Sequence, residues 1–415
     1  MLPSLAHNPP AKGPGALPRW REAQLWYGAL IVALCWVFLC MTFHIGLLDH
    51  STSDSYTLIA LAWRDGRMTV DGPAYTWLEL AQYNGEYYVS FPSVPALVML
   101  PLTLIFGENT PNILVDGLYL WGAYFAAYLL ARRWRGPWEA LFLALFMTLG
   151  CSMLSLSLSG NVWYQAQLLS FLLVTCCALG MTSDSRAGWA LGLVCLAFSV
   201  GCRPFQAVWV PFALAALWRR LWFCCGGGRL RTLRAMLPYL IAPAAVALAL
   251  GWYNWVRFGN PLQFGHIYLP EYATQPQFSL RYVASHVQEL LRLPEFRGNR
   301  LEFPLHEGFA FWMANPMYVT AGVAIAVKAV RRRWDLTDTL LAAGMAVHLF
   351  LLLTHKSMGG WHFGTRYLCD LIPMLFLIQL RGRDRLTSWE IVCGIFAVAF
   401  NLYGAVVFRM IDMGI

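Results

Sequence analysis

Long apolar stretches separated by short polar segments recur along almost the whole chain. A helix that crosses a lipid bilayer needs roughly 20 apolar residues, and most of these stretches have about that length. The pattern therefore predicts an all-α, polytopic membrane protein with about eleven transmembrane helices. They are expected near residues 25–45, 112–131, 138–157, 163–181, 187–202, 206–220, 236–254, 309–327, 337–355, 366–381 and 388–408.

One apolar run does not fit this series. Val94 to Phe106 spans about 13 residues and contains two prolines, which is short for a bilayer crossing. We predict a re-entrant or interfacial helix here. Two long segments, near residues 46–111 and 257–308, lie on one side of the membrane and carry most of the remaining polar residues. Such loops are where an active site is expected.

Basic residues mark the opposite ends of the predicted helices. They cluster near residues 12–21, 132–135, 219–234, 328–333 and 381–385, which together hold roughly 18 of the 30 Lys and Arg residues. Cytoplasmic loops are enriched in Lys and Arg, so this distribution predicts a multi-pass protein of the plasma (inner) membrane with a cytoplasmic N-terminus. The two long segments are then extracytoplasmic.

Composition agrees with a membrane protein and excludes other classes. Hydrophobic residues make up 58% of the 415 residues, charged residues make up 13%, and the mean hydropathy is +0.52. The net charge of +8 comes from clusters at helix ends, so we exclude a nucleic-acid partner. Most of the eleven cysteines lie in apolar runs and are expected to pack as small hydrophobic side chains. Residues 1–24 predict a disordered cytoplasmic tail without a removable signal peptide, followed by one transmembrane domain over residues 25–415.

The first long polar segment contains a candidate catalytic carboxylate. Asp54 precedes residues 55–64, whose apolar positions fall on one helical face. This predicts an amphipathic helix along the outer membrane surface, with Asp54 at its N-terminus. Capping that helix is a sufficient role for Asp54, and a carboxylate that faces a cavity is the alternative.

Three arginines on the outer side stand apart from the basic clusters, namely Arg203, Arg257 and Arg366. Arg203 and Arg366 lie at the ends of predicted helices next to apolar sequence, where a guanidinium needs a partner. A phosphate oxyanion is a suitable bidentate partner, and snorkelling to lipid headgroups is the alternative. His362 lies close to Arg366 in the sequence and is a further donor for the same anion.

Several segments together resemble a known superfamily. In order along the chain they are SDSYTLIALAWRDGR, YNGEYYVSFPSVPALVMLPLTLIFG, CRPFQ, RFGNPLQFGHIYLPE and GGWHFGTRYLCDLIPMLFL. Their order and topology resemble bacterial multispanning glycosyltransferases with the GT-C fold. That superfamily includes protein O-mannosyltransferases, the aminoarabinose transferases of lipid A, and catalytic subunits of oligosaccharyltransferase. The resemblance extends from about the first predicted helix to near Leu377.

The resemblance implies a reaction as well as a fold. Such enzymes take a sugar from a polyprenyl-phosphate donor and transfer it to a glycan, lipid or protein acceptor on the extracytoplasmic face. The resemblance makes Asp54 the general base, with Asp49 as the second candidate. It makes Arg203 and Arg366 the clamp for the lipid phosphate. The further substrate-binding candidates are His362, Tyr88 and Tyr56.

Two departures from the family pattern affect the predicted site. The acidic motif of the family often reads Asp-Glu before a Tyr, whereas here Ser55 follows Asp54. Because the second carboxylate is replaced, a divalent metal is possible but not indicated, and no metal ligand is predicted. The segment SFPSVPAL has Ser90 where family members often have a Lys, so phosphate binding must depend on other donors.

Two other functions fit the same composition. A lipid or sugar transporter or flippase would have a similar number of helices, but its polar sites are expected near the bilayer midplane and in paired halves. Here the distinctive polar residues lie at the outer rim, which favours an enzyme that acts at the membrane surface. The second alternative is a catalytically inactive membrane subunit of the same fold, and an intact Asp54 argues against it.

Overall fold

The computed structural model of the chain describes residues 18–75, 78–272 and 274–412, and most of these residues are helical. Apolar segments in lipid have no water to satisfy their backbone N–H and C=O groups, so they close these hydrogen bonds internally as helices. The helices are α1 (Ala23–Thr42), α2 (Ser55–Arg64), α3 (Val94–Phe106), α4 (Asn112–Ala131), α5 (Pro137–Leu149), α6 (Met153–Leu156), α7 (Val162–Met181), α8 (Arg186–Val200), α9 (Val210–Cys224), α10 (Arg229–Phe258), α11 (Val283–Leu291), α12 (Phe311–Ala314), α13 (Met317–Val330), α14 (Leu336–Thr354), α15 (Ile372–Gly382) and α16 (Ser388–Asp412). The predicted all-α architecture is confirmed.

The two long polar segments fold into short elements between the long helices. The first contains α2, α3 and an antiparallel hairpin of strands β1 (Leu80–Tyr83) and β2 (Glu86–Val89). The second contains α11 and an antiparallel hairpin of strands β3 (Glu295–Arg297) and β4 (Arg300–Glu302). Short 3-10 helices lie at Arg19–Arg21, Gly72–Ala74, Gly107–Asn109, Pro204–Trp209, His266–Tyr268, Pro270–Tyr272, Leu280–Tyr282 and Arg366–Leu371.

The first hairpin has a local cause in the sequence. Asn84 and Gly85 connect its strands, with φ values of 53° and 82°. Positive φ at both positions of a two-residue turn matches the right-handed twist of the strands, and Asn-Gly is the preferred pair for it. The turn aligns the strands so that Leu80 pairs with Val89.

Seven helical segments in the described ranges are long and apolar enough to cross a membrane. They are α1, α4, α7, the segment Pro204–Cys224 that includes α9, α10, α14 and α16. Four further apolar helices, α3, α5, α8 and α13, are shorter. The chain is a multi-pass membrane protein, while the count of eleven transmembrane helices stays a prediction. The run predicted to be re-entrant or interfacial is the 13-residue helix α3, and its position relative to the bilayer also stays a prediction.

Basic clusters meet at one end of the helix bundle. Arg132, which follows α4, forms an ion pair of 2.6 Å with Glu22, which precedes α1. Arg381 in α15 pairs at 2.9 Å with Asp335, the residue that caps α14. Arg135, three residues after Arg132, donates from Nη2 to the carbonyl of Leu380 in α15 at 3.2 Å, so the two ion pairs lie at the same end of the bundle. That this end faces the cytoplasm stays a prediction. Residues 1–17 of the predicted tail lie outside the described residues. A short 3-10 helix, Arg19–Arg21, precedes α1.

The opposite end of the bundle carries α2 and the cavities described below. Helix α2 begins at Ser55 and ends at Arg64, as the sequence predicts, and it buries Tyr56, Ile59 and Ala60. The backbone N–H of Val162, at the start of α7, donates to the carbonyl of the residue that precedes Asp54, at 3.0 Å. The polar segment after α1 is thereby attached to the bundle.

Helices α7 and α8 pack through glycines at their closest approach. A Cβ atom placed on Gly180 in α7 would lie 2.7 Å from the Cα of Gly192 in α8. Only a residue without a side chain fits at this distance. The same geometry is common where membrane helices pack, because small residues let the two backbones approach and increase their dispersion contacts.

We predict that Gly180→Ala lowers the thermal unfolding midpoint of the detergent-purified protein. The added methyl group overpacks the α7–α8 contact, which typically costs about 1–3 kcal/mol. The matched control is Gly322→Ala in α13, because a Cβ atom at Gly322 meets nothing within 4 Å. The control should unfold at the wild-type temperature or slightly above it, since Ala favours helix more than Gly does. Equal midpoints for both variants would contradict the close packing of α7 and α8.

Candidate active site

Asp54 caps helix α2 with its side chain. One carboxylate oxygen, Oδ1, accepts hydrogen bonds from the backbone N–H groups of Tyr56, at 3.0 Å, and Thr57, at 3.1 Å. The other oxygen, Oδ2, accepts a hydrogen bond from the Thr57 hydroxyl. This N-cap geometry satisfies backbone donors that have no partner within the helix. The capping role predicted from spacing is confirmed, and it fixes the position of the carboxylate.

The surroundings of Asp54 change its proton affinity. Its side chain is only 6% exposed. Burial disfavours the charged carboxylate and raises the pKa of Asp54 to about 6, although the hydrogen bonds from Thr57 and Tyr56 act in the opposite direction. A carboxylate with such a pKa is unprotonated at pH 7 and more basic than an ordinary Asp. That combination suits a general base.

Asp54 lies in the wall of a small cavity of about 150 Å³. Its lining includes both polar and apolar side chains. Its lining residues are His50, Ser51, Thr52, Asp54, Thr57, Leu58, Leu61, Tyr75 and Glu108. A second cavity of about 240 Å³ shares Leu58, Leu61, Tyr75 and Glu108 with it, so the two form a continuous groove along α2.

A larger cavity of about 330 Å³ lies on the other side of the start of α2. Both arginines predicted to bind phosphate, Arg203 and Arg366, line it. Tyr56, a predicted substrate-binding residue, lines it as well. The remaining lining residues are largely aromatic and apolar, and they include Phe91, Trp163, Phe205, Phe264, Phe278 and Tyr367. The structure therefore brings three of the predicted site residues together.

Arg203 is held by a buried carboxylate. It follows α8, and its Nε and Nη2 groups lie 3.0 Å and 2.9 Å from Oδ2 of Asp370. Its guanidinium also lies over the Tyr367 ring, 4.4 Å from the ring centroid. Burial lowers the pKa of Arg203, but the neighbouring Asp370 carboxylate outweighs this effect and the net pKa is raised. The side chain is thus a permanent cation in the cavity wall.

Arg366 is anchored by backbone carbonyls. Its Nε donates to the carbonyl of Gly359 at 2.7 Å, and its Nη1 donates to the carbonyl of Trp163 at 2.9 Å. Its guanidinium also lies 4.7 Å from the Tyr367 ring centroid. A carbonyl partner carries no full negative charge, so the cation is oriented without being neutralised. An anion is the natural partner for it.

Tyr56 separates the two candidate groups. Its fully buried ring lines the larger cavity, while Asp54, two residues earlier, lines the smaller one. Asp54, the proposed base, therefore lines one cavity, and the proposed phosphate clamp of Arg203 and Arg366 lines the other. They do not share a single open chamber.

The two cavities differ in charge. The described residues that line the larger cavity include two arginines and no Asp or Glu. Two histidines also line it, and burial lowers the pKa of His266 to about 3 and that of His355 to about 4. Both are therefore neutral at pH 7. The cavity next to Asp54 has the opposite character, because its described lining residues include two carboxylates and no Lys or Arg.

The other predicted site residues lie elsewhere. Asp49 is exposed and its carboxylate accepts the backbone N–H of Gly46 at 2.6 Å. His362 is fully buried, and burial together with the charge of Arg366 lowers the pKa of His362 well below its ordinary value. Tyr88, in β2, packs its ring against Phe258, 5.3 Å away. The described lining of the cavities includes none of these three predicted residues.

Arg257, the third arginine that stands apart from the basic clusters, has a structural role. Its Nη1 donates to the carbonyl of Val89 at 2.9 Å, and its Nη2 donates to Oδ1 of Asn254 at the same distance. Its guanidinium stacks on Tyr253, 4.0 Å from the ring centroid. These contacts attach the end of α10 to the first hairpin.

Sequence reasoning missed the residues that support the arginines. Tyr367 and Asp370 follow Arg366 within one 3-10 turn, inside a segment that the sequence assigns to a transmembrane helix. Gln167 in α7 donates from Nε2 to Oδ1 of Asp370 at 2.9 Å, and also to the backbone carbonyl of Arg366. The available signal was the presence of Gln167 and Asp370 in apolar segments, where polar groups require partners.

The residues around Asp54 do not fit a bound divalent metal. After its three hydrogen bonds Asp54 has about one lone-pair position left, and Ser55 stands where a second carboxylate would provide another ligand. Within the described ranges, no three His, Cys, Asp or Glu side chains lie close enough together to hold a metal ion. We therefore derive no step that requires a metal.

The helices are arranged in the GT-C fold. This conclusion rests on similarity to ArnT from Cupriavidus metallidurans. The structure of ArnT bound to undecaprenyl phosphate matches with a TM-score of 0.52 and 14% identity, over 90% of this chain and 63% of that chain. The apo structure of ArnT matches with a TM-score of 0.53 and 16% identity, over 89% and 62%.

This chain thus spans less than two thirds of the length of the ArnT chains. No protein-family model matches the sequence, and comparison with curated proteins found no match. The resemblance to the GT-C superfamily seen in the sequence is confirmed for the fold. Fold membership does not specify the reaction, which depends on the site.

The contact between Arg366 and Gly359 gives a prediction about stability. Gly359 has a φ of 117°, and a Cβ atom there would lie 2.7 Å from Nε of Arg366. We expect Gly359→Ala to lower the thermal unfolding midpoint, because it adds backbone strain of about 1–3 kcal/mol and displaces a buried guanidinium. The neighbouring Gly360 has a φ of 69° and open space around its Cβ position. Gly360→Ala is the matched control and should lose only about 1 kcal/mol, the usual left-handed penalty. A smaller loss in the Gly359 variant would contradict this packing.

Proposed function

We propose that this chain is a membrane glycosyltransferase that transfers a sugar from a polyprenyl-phosphate donor to an extracytoplasmic acceptor. The observation that carries the proposal is a pair of oriented arginines in one cavity, Arg366 buried and Arg203 with 18% of its side chain exposed, next to a buried carboxylate with a raised pKa. The GT-C fold supports the same reaction class. Undecaprenyl phosphate, the molecule bound in one ArnT structure, is a candidate for the lipid part of the donor.

The larger cavity is the proposed donor site. A polyprenyl-phosphate sugar is a phosphodiester with one negative charge, and its phosphate would accept hydrogen bonds from Arg203 and Arg366. Charge–charge attraction is strong in a cavity that excludes water, so two oriented cations favour binding there. As the sugar leaves, the departing phosphate gains negative charge, and the same two groups stabilise it.

The groove next to Asp54 is the proposed acceptor site. Asp54 accepts the proton of an acceptor hydroxyl while the hydroxyl oxygen forms a bond to the anomeric carbon of the sugar. The bond between that carbon and the phosphate oxygen breaks, and its electron pair stays on the phosphate. Since Tyr56 separates the two cavities, the sugar must pass this ring to meet the acceptor.

The membrane orientation is part of the proposal. The end of the bundle where the basic clusters meet is proposed to face the cytoplasm, in agreement with the positive-inside rule. The N-terminus then lies in the cytoplasm, and the cavities open on the outer face of the plasma (inner) membrane. Donor and acceptor would therefore meet outside the cytoplasm.

The first test is replacement of the proposed base. Asp54→Asn should reduce turnover by about 10²- to 10⁴-fold, because the amide cannot accept the acceptor proton. Asn is also a good N-cap, so the thermal unfolding midpoint should stay close to that of the wild type. The measurement is transfer of radiolabelled sugar from a panel of polyprenyl-phosphate sugars to a cell-envelope extract.

The matched control for this test is Asp49→Asn. Asp49 is exposed and lies in the same polar segment, so its replacement should leave transfer unchanged. Loss of transfer only in the Asp49 variant would move the base to Asp49. Full transfer by both variants would remove a carboxylate base from the mechanism, and no transfer by the wild type with any donor would count against the glycosyltransferase proposal.

The raised pKa of Asp54 predicts how activity depends on pH. Below pH about 6 the carboxyl group is protonated and cannot act as a base, so kcat/KM should fall about tenfold per pH unit. Above pH about 6 this dependence should disappear. His50 lines the same cavity as Asp54, so His50→Gln is the control. If the acid limb disappears in that variant, the limb does not belong to Asp54.

A further inference from the structure

Asp370 is a buried carboxylate to which the proposed mechanism gives no role. It is 1% exposed and pairs with Arg203, while it is not among the described lining residues of the larger cavity. A buried charge is costly unless it is paired, and an ion pair in such a place often contributes little net stability. The Asp370 carboxylate can nevertheless fix the orientation of the Arg203 guanidinium.

The contact between the two groups is specific in geometry. Nε of Arg203 donates a hydrogen bond to Oδ2 of Asp370, and Nη2 of Arg203 lies 2.9 Å from the same oxygen. The side edge of the guanidinium is thereby directed at the carboxylate, and Nη1 is not used by it. Arg203 also lines the cavity and 18% of its side chain is exposed, so a ligand there can reach the guanidinium.

Asp370 is itself fixed in place. Its second oxygen, Oδ1, accepts a hydrogen bond from Nε2 of Gln167 at 2.9 Å. The same Nε2 group also donates to the backbone carbonyl of Arg366. The Tyr367 ring lies under both guanidinium groups, 4.4 Å from Arg203 and 4.7 Å from Arg366. One 3-10 turn thus sets the positions of both arginines.

We propose that Asp370 is a positioning residue that holds the Arg203 guanidinium with its outer edge toward the phosphate of a lipid-phosphate ligand. This inference rests on the proposed function of the larger cavity. Asp370 does not touch the ligand itself. It acts through Arg203, which would otherwise be free to turn toward another acceptor.

The test measures binding of undecaprenyl phosphate to the full-length protein in detergent. Asp370→Asn should weaken binding by about 10- to 100-fold, the effect of losing one charge-assisted hydrogen bond at the site. Asp370→Glu keeps the charge and should recover part of the affinity. Gly180→Ala, which lowers stability far from the cavity, should bind with wild-type affinity.

A double-mutant cycle with Arg203→Gln separates positioning from a general structural role. If Asp370 acts through Arg203, adding Asp370→Asn to the Arg203 variant should cause no further loss of affinity. Removing the unpaired buried carboxylate should also raise the unfolding midpoint of the double variant above that of Arg203→Gln alone. Should Asp370→Asn fail to fold, the Asp370→Glu variant and the double variant still provide these comparisons.

The outcomes distinguish this inference from the proposed function. If the wild type and Asp370→Asn bind undecaprenyl phosphate equally, the positioning role is wrong while the proposed function stands. Additive losses in the cycle would also overturn it, since Asp370 would then act independently of Arg203. If the wild type does not bind undecaprenyl phosphate, the donor-site proposal fails, and the positioning role fails with it.

Discussion

The ion pair between Arg203 and Asp370 determines the geometry of the larger cavity. It connects the end of α8 to the turn before α15, and Gln167 extends the connection to α7. In a water-filled cleft such a pair would exchange its partners freely. Here the carboxylate is buried, so releasing Arg203 would leave an unpaired charge in a low-dielectric environment. Three segments that are distant in sequence are therefore fixed in one arrangement.

Burial also explains how the two sides of the site differ. On one side it strengthens the field of two cations, which favours an anionic ligand. On the other side it penalises the charged form of Asp54, which makes this carboxylate more basic. Tyr56 keeps the opposite charges apart. If Asp54 lay beside an arginine in the larger cavity, the attraction would favour its charged form and oppose the effect of burial on its pKa.

The features that could be predicted from the sequence are those set by the local pattern of apolar and polar residues. The bounds of α2 follow from an N-cap residue and the spacing of apolar positions, and the structure confirms them. Arg203 and Arg366 could be found because they stand apart from the basic clusters and lie next to apolar sequence, where a guanidinium needs a partner. Asp370 could not be assigned, because its partner Arg203 lies 167 positions earlier and only the folded chain brings them together. The position of His362 could not be predicted either. It depends on the conformation of a glycine-rich loop, whose sequence has no apolar periodicity.

The two roles weighed for Asp54, helix cap and general base, are compatible. An ionised carboxylate has about four lone-pair positions for hydrogen bonds. The cap uses two of them at Oδ1 and the Thr57 hydroxyl uses one at Oδ2. One position at Oδ2 therefore remains for the proton of an acceptor hydroxyl. Because the cap fixes the direction of the carboxylate, that position is oriented before a substrate arrives, and little conformational entropy is lost when the acceptor binds.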